Sequence, residues 1–296
     1  MQENIGHVSR RLDGRRALIT GGGQGLGLAI AEQYVREGAS VFVCGRRPGP
    51  LDAAVDALRG LADRAQHVAA APADVANPED VARVVAQAHE ALGGLDVLVC
   101  NAGINGAKGA IESVDWQEWT DTIGTNLFGA VLCCRAVIPI FKAQRQGKII
   151  LLSGGGAASP RAYFSAYAAS KAALVRFGES VAEELHGTGI DVNSVAPGAM
   201  NTRLLDDMLE AGPELIGAAA YAQAVKQQAS GGTPMDTPAT LCAFLASTDS
   251  AGITGRLISA VWDDWAALPE HAAELRSTDI YTLRRIVPAD RGRSWD

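Results

Sequence analysis

Cysteine and histidine are scarce in this sequence, and neither is arranged as a set of metal ligands or bridges. The 296 residues include five cysteines and five histidines. No Cys-x-x-Cys or His-Glu-x-x-His pattern occurs, which argues against a metal site. The cysteines are odd in number and lie in apolar stretches, so we expect buried, reduced thiols rather than a disulfide framework at Cys44, Cys100, Cys133, Cys134 and Cys242.

Surplus positive charge and long apolar runs are also lacking. Lys and Arg total 26 against 33 Asp and Glu, which gives a formal net charge of −7. A surface that coats nucleic acid or an anionic membrane needs clustered basic residues. There is no run of ~18 unbroken apolar residues and no segment that resembles a signal peptide. We therefore expect a cytoplasmic protein whose partners are small molecules, with neither nucleic acid nor membrane among them.

The sequence does contain a regular alternation of short apolar runs, rich in β-branched residues, with longer helical patterns. Runs that are apolar throughout are typical of a parallel sheet covered on both faces. The pattern predicts strands at 17–20, 40–44, 67–70, 95–100, 148–153, 190–196 and 256–260. It predicts helices at 25–37, 51–62, 78–92, 114–144, 166–187 and 238–247.

This βαβ series predicts an α/β fold: a single-domain, Rossmann-like, doubly wound parallel sheet in a three-layer αβα arrangement. The domain is expected to span residues 15–261, after an N-terminal arm at 1–14. The segment 199–235 has a mostly helical pattern and is expected to form a lid. Residues 262–296 are expected to form a C-terminal extension that wraps the surface or a neighbouring subunit.

A glycine-rich loop follows the first predicted strand. It reads Thr-Gly-Gly-Gly-Gln-Gly-Leu-Gly over residues 20–27 and opens the first predicted helix. Glycines there permit a tight turn and a close approach of the backbone to a pyrophosphate, while the helix N-terminus supplies free N–H groups. A flexible turn without a ligand is the alternative interpretation, but the position after the first strand favours a dinucleotide site.

The T-G-x-x-x-G-x-G spacing of this loop is the first of several motifs by which the chain resembles the short-chain dehydrogenases/reductases. The others are Asp74 after the third predicted strand, Asn101-Ala102-Gly103 after the fourth, Pro197-Gly198 after the sixth, and Tyr-Ala-Ala-Ser-Lys at 167–171. The resemblance covers roughly residues 15–261. It implies an NAD(P)(H) site formed by Gly21, Gln24, Gly25, Leu26, Gly27, Arg46, Arg47, Asp74, Val75, Asn101, Ala102, Gly103, Tyr167, Lys171, Pro197, Gly198 and Thr202.

The end of the second predicted strand bears on the choice between NADP(H) and NAD(H). A carboxylate there bonds the ribose hydroxyls of NAD and repels a 2′-phosphate. This strand instead ends in Gly45-Arg46-Arg47, and arginines offer charge-assisted hydrogen bonds to a phosphate. The two arginines favour NADP(H) over NAD(H). A solvated pair that leads into Pro48 is the alternative.

Tyr167 and Lys171 are the predicted catalytic pair. They are four residues apart on one predicted helix, so their side chains face the same way. A nearby ammonium and the positive nicotinamide ring of an oxidised cofactor favour the phenolate, so that Tyr167 exchanges a proton with the substrate oxygen. The resemblance also implies a catalytic role for Asn126, which would hold a water in the proton relay. A buried Asn at a helix kink is the alternative for that residue.

Gly154 marks a departure from the family pattern. The catalytic Ser of the family stands thirteen residues before its Tyr, and that position is Gly154 here. Three interpretations follow: Ser153 serves through a bulge, backbone N–H groups replace the hydroxyl, or the usual reaction is impaired. We favour Ser153. The candidates for a pocket of mixed polarity around the same mouth are Asn105, Arg161, Tyr163, Met200, Asn201 and Arg203.

Together the motifs predict an NAD(P)(H)-dependent oxidoreductase that interconverts a secondary alcohol and a ketone, with hydride passing to or from the nicotinamide. The substrate is expected to be polar, sugar-like or a secondary metabolite. The alternatives are a redox-neutral epimerase or dehydratase that uses bound cofactor, and a non-catalytic NADP(H)-binding sensor. The two long helices that commonly pair in the family are rich in apolar positions over 123–141 and 168–185, which predicts a homodimer or homotetramer.

Overall fold

Seven parallel strands form one sheet in the structure, a computed structural model that describes residues 10–295. Residues 1–9, which make up most of the expected N-terminal arm, and residue 296 lie outside the described residues. The strands are β1 (Arg16–Thr20), β2 (Ser40–Gly45), β3 (Val68–Pro72), β4 (Val97–Cys100), β5 (Gly147–Leu152), β6 (Ile190–Ala196) and β7 (Arg256–Ser259). Their order, β3-β2-β1-β4-β5-β6-β7, confirms the predicted doubly wound sheet. Since the chain turns from one half of the sheet to the other between β1 and β4, a crevice opens there at the carboxyl ends of the strands.

The helices connect the strands and cover both faces of the sheet. They are α1 (Gly25–Arg36), α2 (Pro48–Leu61), α3 (Pro78–Leu92), α4 (Trp116–Ile123), α5 (Gly129–Gln144), α6 (Ser165–Glu184), α7 (Arg203–Ile216), α8 (Ala218–Ser230), α9 (Asp236–Ala246) and α10 (Ala272–Ser277). Local sequence explains their ends. The side chain of Asn77 accepts N–H bonds at the start of α3, and Gly93, at φ 69°, ends that helix in the left-handed conformation.

Two apolar clusters hold the layers together, one on each face of the sheet. Helices α1, α2 and α9 pack on one face, and α3, α5 and α6 pack on the other. Neighbouring strand residues point to opposite faces, as Ile19 and Leu18 of β1 do. All five cysteines are free and buried in these layers, as predicted from their apolar surroundings. The layers fix the ends of the strands, where the functional residues lie.

The predicted helix at 114–144 is interrupted. A π-helical turn, Gly124–Phe128, separates α4 from α5. Asn126 lies in this turn and is buried, and its side chain bonds both the N–H of Ile104 (2.8 Å) and its C=O (2.9 Å). A π turn inserts one extra residue into the helix. Here the Asn126 side chain in that turn points inward and bonds Ile104, so a contact with a distant residue accompanies the irregular geometry. Asn126 is thus a buried residue at a helix irregularity.

The segment 199–235, expected to be helical, contains α7 and α8. An antiparallel bridge between Met200 and Gly232 closes the base of this segment. Gly212 adopts a non-helical conformation (φ 72°) that kinks α7. Ile216, at the end of α7, is fully buried and packs against Phe164 and Tyr167. The segment therefore rests on the start of α6 and covers the mouth of the crevice.

The tail after β7 lies along the outer edge of the sheet. It contains a 3₁₀ helix, Trp265–His271, followed by α10. Beyond α10, the carbonyl of Tyr281 accepts a hydrogen bond from the backbone N–H of Leu257 in β7 (2.7 Å). The guanidinium of Arg256 donates to the carbonyls of Thr278 (3.0 Å) and Ile280 (2.8 Å). The tail therefore packs on its own subunit, which is one of the two placements expected for it.

One helical stretch in the described residues, Trp116–Gln144, is long and apolar enough to cross a membrane by length and composition alone, with a mean hydropathy of 1.7. Its inner residues, such as Val137 and Phe141, are fully buried against the sheet. The stretch is therefore a core helix of the fold. Only 33% of its most apolar window is buried, and the exposed residues include Trp116 and Phe128 beside charged residues such as Glu118 and Arg135, so its outer face is apolar in part.

Candidate active site

A cleft of about 2020 Å³ lies at the carboxyl ends of the strands, between the glycine loop and the α7–α8 segment. An open parallel sheet binds its ligands at this edge, beside the point where strand order reverses. All the residues predicted from the sequence to bind cofactor line the cleft, as do Tyr167, Lys171 and Ser153. Asn126 is the exception. It lies behind Gly103, where an added Cβ would be 3.2 Å from the Asn126 side-chain oxygen.

The glycine loop is shaped by close backbone approach. A Cβ at Gly27 would lie 2.2 Å from the carbonyl oxygen of Gly21, which only glycine permits. Gly25 adopts φ 56° and has open space where a Cβ would stand, so its backbone faces the cleft directly. Helix α1 begins there without a side-chain cap, which leaves its first N–H groups for an anion. The loop therefore fits the pyrophosphate of a dinucleotide.

Thr20 and Asn101 brace this loop from below. The Thr20 hydroxyl accepts from the backbone N–H groups of Asn101 (3.0 Å) and Ala102 (3.1 Å). The side-chain amide of Asn101 donates to the carbonyls of Thr20 (3.0 Å) and Gly21 (3.2 Å). Thr20 has no role predicted from the sequence, although its place at the head of the glycine motif is a signal. These bonds tie β1 to β4 and hold the cofactor edge of the cleft.

Arg46 and Arg47 lie at the end of β2, beside the glycine loop. Both are exposed and line the cleft. Arg47 donates a hydrogen bond to the side-chain carbonyl of Gln24 (2.6 Å), and this bond joins the end of β2 to the glycine loop. Arg46 forms no side-chain hydrogen bond or ion pair among residues 10–295. Its charge is therefore available to an anion that enters this end of the cleft.

Tyr167 and Lys171 share one face of α6 and are both buried, at 7% and 5% exposure. The Lys171 ammonium lies 5.8 Å from the centre of the Tyr167 ring and donates to the carbonyl of Leu152 at the end of β5 (2.7 Å). Burial lowers the pKa of Lys171 to about 8. Burial raises the pKa of Tyr167, and the positive charge of Arg161 opposes that effect. The sequence predicts a phenolate at Tyr167, whereas burial in the protein alone favours the neutral phenol.

Asn126 is joined to α6 as well as to the backbone below it. Its amide donates to the hydroxyl of Ser170 (3.0 Å), and that hydroxyl donates to the carbonyl of Tyr167 (2.7 Å). Ser170 has no role predicted from the sequence, although it lies inside the Tyr-Ala-Ala-Ser-Lys motif. These bonds fix the first turn of α6, which carries the phenol. The role of Asn126 in a proton relay stays a prediction.

The turn after β5 brings Ser153 and Gly154 to the same part of the cleft. A Cβ at Gly154 would lie 2.3 Å from the Tyr167 hydroxyl oxygen, so the phenol rests directly on the Gly154 backbone. The Ser153 hydroxyl is buried and has no hydrogen-bond partner among the described residues. A buried hydroxyl without a partner is costly unless a ligand supplies one. Ser153 therefore remains the candidate for the hydroxyl that residue 154 lacks.

The far end of the cleft is enclosed by the α7–α8 segment. Phe164 and Ile216 are fully buried there beside Tyr167, and Met208 packs against them. All six residues named as pocket candidates from the sequence line the cleft. Among them, Asn105 donates to the carbonyl of Leu204 in α7 (2.5 Å), which ties the segment to the loop after β4. This end of the cleft is a candidate pocket beside the phenol.

Comparisons with known proteins agree with this geometry. A family model described as short chain dehydrogenase matches residues 15–211, a range that includes every predicted catalytic and cofactor residue. Glucose 1-dehydrogenase of Gluconobacter oxydans (strain 621H) is 33% identical over 259 residues, 84% of this chain and 91% of the relative. Levodione reductase has a similar structure, with a TM-score of 0.77 and 28% identity over 88% of this chain and 99% of that chain. A variant of actinorhodin polyketide ketoreductase, solved with NADPH, gives a TM-score of 0.75 and 27% identity, and the match covers 83% of this chain and 95% of that chain.

Proposed function

The chain belongs to the short-chain dehydrogenase family of oxidoreductases, and on that premise we propose that it is an NADP(H)-dependent enzyme that interconverts a secondary alcohol and a ketone. The observation that carries the proposal is the pair of buried side chains on α6. Tyr167 and Lys171 lie together in the cleft that the glycine loop borders, with the phenol on the Gly154 backbone. Such a cleft suits proton transfer next to a bound dinucleotide.

In the direction of reduction, Tyr167 donates its proton to the ketone oxygen. When NADPH is bound, its nicotinamide would supply the hydride to the carbonyl carbon, and the product would be a secondary alcohol. The raised pKa of Tyr167 keeps the phenol protonated before this step. The ammonium of Lys171, held by the Leu152 carbonyl, stabilises the phenolate that remains. In the direction of oxidation, the phenolate takes the proton back.

The oxygen of the substrate needs a second donor as charge develops on it. In the family a Ser hydroxyl occupies the position of Gly154, and loss of one such donor costs about 10²–10³-fold in rate. We propose that the unpartnered hydroxyl of Ser153, one residue earlier, donates in its place.

NADP(H) is the proposed cofactor because the end of β2 carries two arginines and no carboxylate. Arg46 is exposed at the cleft without a partner, and Arg47 is already placed across the glycine loop by Gln24. A 2′-phosphate on the adenine ribose gives Arg46 a charged acceptor. Among the structural neighbours, the ketoreductase was solved with NADPH and a xylitol dehydrogenase with NAD⁺, so the proposal depends on the two arginines.

The proposed partners are a small-molecule substrate and a second copy of the chain. The outer face of Trp116–Gln144 carries large exposed apolar side chains, since Trp116 and Phe128 expose 69% and 57% of their surface. Large exposed apolar surfaces mark contact sites. A homodimer or homotetramer that covers this face is therefore proposed. Placement in the cytoplasm stays a prediction.

Turnover of NADPH with a ketone panel, and of NADP⁺ with the matching alcohols, tests the function. We expect consumption by the wild type, and loss of turnover with retained NADPH binding in Tyr167→Phe, because the ring still packs without its hydroxyl. Full activity of Tyr167→Phe would refute the proposed chemistry.

Gly154 favours one second candidate, a non-catalytic NADP(H)-binding sensor, because it removes a hydroxyl on which the family relies. Tight NADPH binding without turnover of any ketone or alcohol would select the sensor over the enzyme.

A further inference from the structure

Arg161 is a half-buried cation beside the reacting phenol. It lies in the loop between β5 and α6, and it lines the same cleft as Tyr167. Its guanidinium carbon stands 4.1 Å from the centre of the Phe164 ring and 5.5 Å from that of Tyr167. Two aromatic faces thus hold the cation in place.

The guanidinium has unused hydrogen-bonding capacity. It carries five N–H donors, and the one side-chain bond it forms within residues 10–295 goes to the sulfur of Met208 (3.0 Å), a weak acceptor. No Asp or Glu of the described chain forms an ion pair with it. Burial lowers the pKa of Arg161, which means that its surroundings disfavour the positive charge of the guanidinium. A half-buried cation in this state gains most from an anion that arrives with a ligand.

Other cations that line the cleft differ from Arg161. Lys171 is bound by the carbonyl of Leu152, and Arg203 is paired with Asp207 at 3.8 Å. Arg46 is unpaired but lies at the end of β2, by the glycine loop. Arg161 is therefore the unpaired cation nearest to the phenol.

We propose that Arg161 binds a carboxylate on the substrate, and that the substrate is an oxo acid or the corresponding hydroxy acid. This inference rests on the proposed alcohol and ketone chemistry. The guanidinium fork matches a carboxylate in a bidentate pair. Because the cation stands over the Tyr167 ring, the carboxylate lies only a few bonds from the carbonyl that the phenol protonates. Met208 and Ile216 line the cleft beside Tyr167 and suit an apolar remainder.

Matched acid and ester substrates test the inference. Benzoylformate is compared with methyl benzoylformate, and acetoacetate with ethyl acetoacetate, in NADPH-dependent turnover. A charge-assisted bidentate contact is worth roughly 10- to 100-fold in binding. We expect the wild type to favour each acid by about that factor in kcat/KM, and Arg161→Met to abolish the preference through KM. Arg161→Lys keeps the positive charge but loses the bidentate guanidinium, so it should retain part of the preference for the acid.

Two comparisons separate substrate binding from a structural role. Arg64→Met removes an exposed arginine before β3, at the opposite edge of the sheet, and should leave the acid preference unchanged. If Arg161 only fastens the lid through Met208, Arg161→Met lowers turnover of acid and ester equally. That result, or a wild type that does not favour the acids, overturns the inference.

Binding distinguishes failure of the inference from failure of the proposed function. Titration of benzoylformate and its methyl ester into the NADP⁺ complex, which has no hydride to transfer, gives affinities without turnover. Turnover of neutral ketones without tighter binding of the acid refutes the inference and leaves the proposed function intact. Tighter binding of the acid that Arg161→Met removes, without turnover of any ketone, refutes the proposed function and supports the inference.

Discussion

Gly154→Ala tests where the Tyr167 hydroxyl lies during turnover. A Cβ at residue 154 would lie 2.3 Å from that oxygen, and ordinary van der Waals contact begins at 3.4 Å, so the phenol must retreat by the difference of about 1.1 Å. A misplacement of ~1 Å at a reacting group costs about 10²-fold in rate, or about 2.7 kcal/mol. We therefore expect kcat to fall by about 10²-fold.

The assay combines steady-state ketone reduction with NADPH binding by fluorescence. Binding should persist, because the substitution changes the contact with the phenol and leaves the glycine loop intact. Overpacking costs about 1–3 kcal/mol of folding free energy, so thermal unfolding is followed in parallel to show that the variant is folded at the assay temperature.

Gly155→Ala is the matched control. It makes the same chemical change at the next residue, where a Cβ has open space and the backbone is not left-handed. A substitution of this kind changes free energies by about 0.5 kcal/mol, which corresponds to about 2-fold in rate. If Gly154→Ala also stays within ~2-fold of wild type, the phenol does not rest on residue 154 in the working enzyme, and the reasoning is wrong.

Four further predictions follow from the site and the surface. Ser153→Ala is expected to lower kcat by about 10²-fold or more, whereas a change below ~5-fold would indicate backbone donors instead. The rate of ketone reduction should fall as pH rises through about 8, the pKa to which burial lowers Lys171, since reduction uses the protonated forms of both Lys171 and Tyr167; a flat profile across this range contradicts the assignment. NADPH should bind at least several-fold tighter than NADH, Arg46→Glu should reverse the order, and equal affinities in the wild type would show that the arginines do not contact the cofactor. Light scattering at micromolar protein should give a dimer or tetramer, Phe128→Asp should shift the mass toward the monomer, and a monomeric wild type would contradict the proposed interface.

The parts of the site predicted from sequence are those that local pattern encodes. The glycine loop and the Tyr167 motif each follow a strand or begin a helix, so their places follow once the alternation of elements is recognised. Strand ends were predicted to within two residues because parallel strands buried on both faces form sharply bounded apolar runs.

What the sequence did not predict depends on contacts between distant residues. The π turn at Asn126 arises from bonds to Ile104, which lies 22 positions earlier in the chain. The raised pKa of Tyr167 arises from burial beside Phe164 and Ile216. Ile216 belongs to the segment 199–235, and the sequence around Tyr167 does not show that this distant segment covers the phenol. Arg161 was named only as a pocket candidate, because its lack of an anionic partner becomes visible when the surrounding residues are in place.

The tail that lies along β7 has a consequence for the behaviour of the protein in concentrated solution. A parallel sheet that ends in an uncovered strand presents backbone donors and acceptors to any extended chain nearby, and such edges template aggregation. The carbonyl of Tyr281 accepts a hydrogen bond from the backbone N–H of Leu257 in β7. The side chain of Arg256, in the same strand, donates to the carbonyls of Thr278 and Ile280 in the tail. The extension thereby covers part of the β7 edge and leaves fewer free backbone groups to which a foreign strand can bind.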